Sequence, residues 1–161
     1  MIDEILGNSS PIYILWGLGM LALSLILVSR EKYRVLLPVT LLGTTVTAFI
    51  LVIVIHLIQA WQYIEVEPFS VFDVPVFVLL AWLASFVIFL WALPEDLPVW
   101  THYLYIALFS LAGKPIDTIF NSLGLRPYAP WYQAWMWTPV VFLLFWTNYK
   151  IYLFRNKLQK Q

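Results

Sequence analysis

The chain has 161 residues, of which 62% are hydrophobic and 11% are Asp, Glu, Lys or Arg, against about 45–50% and about 25% in an ordinary soluble domain. A chain this short has too little interior to hide so much apolar surface, and its composition predicts an integral membrane protein whose solvent is lipid. Nine basic residues balance nine acidic ones and cysteine is absent; this excludes nucleic acid as a partner, and with it disulfides, thiol nucleophiles, iron–sulfur ligation and cysteine-based zinc sites.

The chain opens on Asp3 and Glu4 and shows no small-residue cleavage site after its first apolar run. That run is therefore expected to persist as a helix and not to be removed as a signal. A membrane helix needs about 20 apolar residues to cross about 30 Å of hydrocarbon. The first run covers residues 12–28, with Ser9 or Ser10 as N-cap and Pro11 at the first helical position, and Arg30, Glu31, Lys32 and Arg34 end it. The second, residues 35–60, is interrupted by Thr residues, Pro38, His56 and Gln59. The third, residues 74–93, has Asp73 as its expected cap and Pro75 behind it.

The fourth, residues 99–125, is apolar as far as Gly113 and then carries Lys114, Pro115, Asp117, Thr118, Asn121 and Ser122. It reads as a span, a broken span or a re-entrant hairpin, with a kink expected at residues 114–115. The fifth, residues 138–154, runs into Arg155, Lys157 and Lys160.

Charge decides between four and five crossings, because Lys and Arg gather at cytoplasmic membrane ends. Five crossings with the N-terminus out put Arg30, Lys32, Arg34, Lys150, Arg155, Lys157 and Lys160 inside and leave Arg126 outside; four would push the basic C-terminus out. The expected fold is thus one all-α domain, a polytopic transmembrane helix bundle of five spans, with the N-terminus out and the C-terminus in. Trp61, Tyr63, Phe69 and Phe72 gather at one outer edge, and Tyr128, Trp131, Tyr132, Trp135 and Trp137 at the other. They read as an interfacial belt, the alternative being an aromatic cage for a choline-like headgroup. Residues 61–73 and 126–137 are expected to cap the outer surface.

Lys114 and Asp117 are the residues most expected to carry chemistry. Ionisable groups inside a membrane are costly and usually pair within the bundle, and an i, i+3 spacing puts these two on one helix face. Ser110 and Asn121 continue that face. Three readings stay open: a ligand pocket or proton relay, a structural ion pair, or a wet outer vestibule. In the first, Lys114 binds an anion or exchanges a proton and Asp117 is its counter-charge. Thr40, Thr44 and Thr47 form a second stripe, expected to bond within its own helix or pack against a neighbour. Gly17, Gly19 and Gly43 permit close helix approach.

His56 with Glu65 and Glu67 is a secondary candidate for acid–base work, the blander reading being solvated interfacial residues. Arg126, Trp131 and Trp135 are secondary ligand-binding candidates in the outer cap. His102 reads as a lone interfacial histidine. No GxSxG, HExxH, Gly-rich phosphate loop or dinucleotide fingerprint occurs, so no catalytic residue, metal or cofactor is assigned.

Trp61, Tyr63, Glu65 and Pro68, then residues 94–100 with Tyr103 and Tyr105, then Gly124, Leu125, Arg126, Tyr128, Trp131 and Trp135, and finally Asn148 and Tyr149, form a pattern over roughly the last 90 residues. It resembles a family of small, functionally uncharacterised integral membrane proteins of Bacillus-type and Clostridium-type bacteria. Where that family carries an acidic residue in its fourth helix and a Gly-Trp-Asn step after it, this chain has Lys114 with Asp117 and Pro130-Trp131-Tyr132. The resemblance implies a multi-pass topology in a bacterial cytoplasmic membrane and no mechanism. The expected function is a non-enzymatic binding or transport protein for an amphiphile, small anion or proton. The alternatives are an accessory subunit of a larger membrane complex and, third, an intramembrane lipid-modifying enzyme. Membrane lipid is an expected partner, with a membrane-protein partner or a second copy of the chain beside it.

Overall fold

A computed structural model of the chain describes residues 10–159; Asp3, Glu4, Ser9 and Lys160, used in the sequence reading, lie outside them. Among the described residues the fold is all-α apart from one short hairpin and one isolated bridge. Helices α1 (Pro11–Leu27), α2 (Arg30–Ile53), α3 (Val76–Trp91), α4 (Val99–Ala112), α5 (Lys114–Ser122) and α6 (Trp137–Gln159) follow the apolar runs closely. A π-helical turn, Val54–Ile58, prolongs α2 and stops at Gln59, whose φ of 55° no helix continues. Pro11 starts α1 behind Ser10, as expected, although the Ser10 side chain makes no capping bond.

Asp73 does not cap the third run. It lies with Phe72 at the tip of a hairpin between β1 (Ser70–Val71) and β2 (Val74–Pro75), both tip residues having positive φ, 50° and 61°. Two such residues make the mirror-image turn that fits the twist of a two-residue hairpin. Pro75 then holds the chain extended, so α3 begins at Val76. In the fourth run the helix breaks at Gly113 between α4 and α5, one residue before the expected kink, and Pro115 sits in the first turn of α5, where its missing N–H costs least.

Among the described residues the helices pack into one bundle. Polar contacts define its two ends. At the first, the Ser10 amide donates to the Glu65 carbonyl at 2.8 Å and the Tyr13 hydroxyl to the Leu125 carbonyl at 2.5 Å. Segments 60–64 and 125–129 lie antiparallel there, through Ile64 to Leu125 and Ala129 to Ala60 bonds of 2.9 Å and a bridge at Trp61 and Tyr128. At the second end, Tyr152 donates to Glu95 and Arg155 to the Val35 carbonyl.

Helix α3 is the central element and packs on α1, α2 and α6. A Cβ on Gly17 would meet the Phe77 carbonyl oxygen at 2.5 Å, which shows how closely α1 approaches α3; Gly19 has open space around it. Gly43 of α2 takes the side chain of buried Asn148 of α6 in the same way. Phe86 and Phe89 of α3, Phe109 of α4 and Phe145 of α6 interlock mostly edge-to-face, with ring centroids about 5 Å apart. Thr40, Thr44 and Thr47 donate to their own helix. Outside this interior the helices expose large apolar side chains, Leu15, Ile26, Phe49, Leu57 and Phe154 among them. Among the described residues one helix, Arg30–Ile58, is long and apolar enough to cross a membrane; α1 and α3 are shorter apolar helices.

Candidate binding site

The site is built where α5 turns back on itself. Helix α5 ends at Ser122, and Gly124, with φ of 73°, reverses the chain so that the Leu125 and Arg126 amides both donate to the Phe120 carbonyl. The Asn121 amide fixes this turn by donating to the Arg126 carbonyl at 3.0 Å. Arg126 is thereby laid back against α5, and its Nη1 donates to Oδ1 of Asp117. The Tyr128 hydroxyl donates to Oδ2 at 2.7 Å, so both carboxylate oxygens are engaged. Asp117 and Arg126 are almost fully buried.

The cation beside Asp117 is therefore Arg126, and not Lys114 as the i, i+3 spacing suggests. Lys114 is exposed at the start of α5. Arginine suits the buried role, since its planar fork hydrogen-bonds in the plane while its faces stack on aromatic rings. Its guanidinium lies 3.8 Å from the centroid of the Trp61 ring, with Tyr63, Trp137 and Tyr128 between 5.6 and 5.9 Å. The aromatic cage considered for a choline-like group is thus filled by the protein's own cation. Trp131 and Trp135 stay outside it, exposed at the surface, Trp135 donating to Gln133.

Burial pushes the Tyr63, Tyr128 and Tyr132 phenols above their ordinary value, against the lowering effect of the Arg126 charge. For Tyr128 the bond it donates to Asp117 adds to that rise. These phenols stay protonated, and that of Tyr128 donates to Asp117. The Nε and Nη2 atoms of Arg126, by contrast, are buried without a protein partner.

A cavity of about 220 Å³ adjoins this cluster. Among the described residues its charged lining is Lys114, Asp117 and Arg126, and Ser85, Ser110, Tyr63 and Thr138 add polar groups. The rest is mainly apolar, from Trp16 and Met20 of α1 to Trp82 of α3 and Phe145 of α6. Exposed Gly113 and Lys114 stand in its lining, so the cavity reaches the surface beside the α4–α5 break. Of the four residues expected on the polar face, Ser110, Lys114 and Asp117 line it, and Asn121 serves the turn. The Ser110 hydroxyl bonds within α4, to the Ile106 carbonyl at 2.7 Å.

His56 is not joined to Glu65 or Glu67. Its Nε2 lies 3.4 Å from Asp73 and 3.3 Å from the Phe72 carbonyl, all at the exposed hairpin tip. Glu67 accepts from Ser70. His102 does not stand alone: it is buried between the Pro94 carbonyl and the Tyr149 hydroxyl, each at 2.9 Å. A carbonyl can only accept, so Nε2 donates to it. No family model, curated protein or solved structure matches the chain.

Proposed function

We propose that this is a multi-pass protein of a bacterial cytoplasmic membrane that binds, and in a transport role passes on, an amphiphile or small anion in the cavity beside the Asp117–Arg126 pair. The observation that carries the reading is a buried, partly unpartnered arginine in the lining of a largely apolar cavity. Convergent polar groups in an apolar pocket are the usual form of a small-molecule site.

The membrane setting is supported by the apolar outer surface of the helices, which water would not tolerate over so wide an area. It is supported too by the gathering of Arg30, Lys32, Arg34, Arg155 and Lys157 toward the second end; in this reading that end is cytoplasmic and the cavity's polar end lies outside. Helices α1 and α3, each about 25 Å long, fall short of a hydrocarbon core of about 30 Å, so their flanking extended residues and local thinning of the bilayer complete those two spans.

The test is native mass spectrometry of the protein released from gently solubilised membranes, wild type beside Ala81→Leu, which fills the cavity from α3. A defined small-molecule adduct on the wild type and its loss in the variant is the expected result. A protein partner bound equally to both, with no adduct, would replace this reading with the accessory-subunit one.

A further inference from the structure

Resting on that reading, we infer that the cavity's ligand is a single-chain carboxylate amphiphile, its head gripped by the Nε–Nη2 edge of Arg126 and its tail laid along the apolar lining. The guanidinium offers three sets of donors in one plane. Nη1 is spent on Asp117 and a face is covered by Trp61. Nε and Nη2 remain, both unpartnered and too closely covered to touch a water-sized molecule in this conformation, so the ligand's head reaches them as the side chain turns toward the cavity that Arg126 lines. They form the side of the fork whose two parallel N–H bonds match the two oxygens of a carboxylate or phosphate. A buried donor without a partner is costly, so an oxyanion seated there removes a penalty that the protein alone carries.

Charge sets the ligand's valence. Lys114 and Arg126 against Asp117 leave one net positive charge in the described lining, which a monoanion neutralises. A carboxylate is a monoanion at neutral pH, whereas a phosphate monoester carries about −1.5 to −2. Size and polarity set the rest. The cavity is about 220 Å³, reaches the surface and has a mainly apolar lining, which suits a single alkyl chain. Trp16, Met20, Trp82 and Phe145 offer the tail nothing but apolar contact and ring faces.

The experiment is a native mass spectrometry titration of the whole protein in non-ionic detergent with sodium decanoate, decyl phosphate, 1-decanol and inorganic phosphate. The proteins compared are wild type, Arg126→Lys and Ala81→Leu. Arg126→Lys keeps a cation against Asp117 and removes the fork, so it separates a ligand role from a folding role. The expected result is one decanoate per chain, bound at least tenfold more weakly by Arg126→Lys and lost in Ala81→Leu, with 1-decanol at least tenfold weaker on the wild type. Decanol binding as tightly as decanoate, or undiminished binding by Arg126→Lys, overturns the head-group assignment and leaves the cavity reading standing. Decyl phosphate binding more tightly than decanoate overturns the carboxylate, and inorganic phosphate displacing decanoate at equal concentration overturns the need for a tail. If no decyl compound gives an adduct that Ala81→Leu removes, the cavity reading falls as well.

Discussion

Replacing Arg126 by glutamine would leave Asp117 buried with Tyr128 as its remaining side-chain donor. Breaking a buried pair from one side costs about 3–5 kcal/mol, because a charge stays behind uncompensated. Arg126→Gln is accordingly expected to lower stability by about that much, and the double variant with Asp117→Asn by clearly less than the sum of the singles. Thermal unfolding of the four proteins in one detergent checks this; additive losses would mean the two side chains do not act as a pair. The raised phenols give a second prediction with a definite sign. The folded state holds the protons of Tyr63, Tyr128 and Tyr132 above the ordinary value of 10.0, where the unfolded chain has released them. Their contribution is complete below about pH 10 and is lost as the pH rises beyond it. Unfolding midpoints should fall above pH 10, and less steeply when all three tyrosines are phenylalanine; an equal slope would place the titrating groups elsewhere. Asp117 was legible in the sequence as a buried charge. Its partner was not, because i, i+3 spacing favours Lys114, while Arg126 is brought in by a turn at Gly124 that no helical periodicity registers.

At the scale of the helices, small residues set how near the backbones come. Gly17→Ala pushes a methyl group into the Phe77 backbone and is expected to cost about 1–3 kcal/mol, the usual range for overpacking. Gly19→Ala, two residues on, meets nothing within 4 Å and should leave stability unchanged or slightly raised. Equal effects at the two positions, measured by thermal unfolding, would mean that α1 does not rest on α3 at Gly17. The apolar runs marked where these helices lie, since long stretches of Leu, Ile, Val and Phe leave the backbone no partners but its own, although α2 begins five residues before its run and α6 ends five after. The hairpin at 70–75 was not announced. Its tip is Phe72 and Asp73, without the glycine or asparagine that marks such a turn, so Asp73 read as a helix cap. His102 escaped in a similar way, because Tyr149 is joined to it only by the packing of α4 on α6, and the Pro94 carbonyl only by the turn that leads into α4.

Across the whole molecule, the two polar ends differ in kind. The first is a woven cap, with segments 60–64 and 125–129 laid antiparallel and the start of α1 tied to both. It holds the Asp117–Arg126 pair and the polar end of the cavity. The second has the basic side chains and the short connections. Composition alone pointed to lipid and to helices, and charge to an orientation. The pairing of the two aromatic segments into one cap could not be read, because it joins residues more than sixty positions apart through backbone bonds indifferent to side-chain type. The functional reading depends on this bundle lying across a membrane with its woven end outward. Because the chain has no cysteine, single introduced thiols report that placement without background. Glu67→Cys, exposed at the first end, and Asp96→Cys, exposed at the second, would be labelled with a membrane-impermeant maleimide in intact bacterial cells. The account predicts labelling of Glu67→Cys in intact cells and of Asp96→Cys only after permeabilisation. Labelling of Asp96→Cys in intact cells, or recovery of the protein in the soluble fraction, would contradict it.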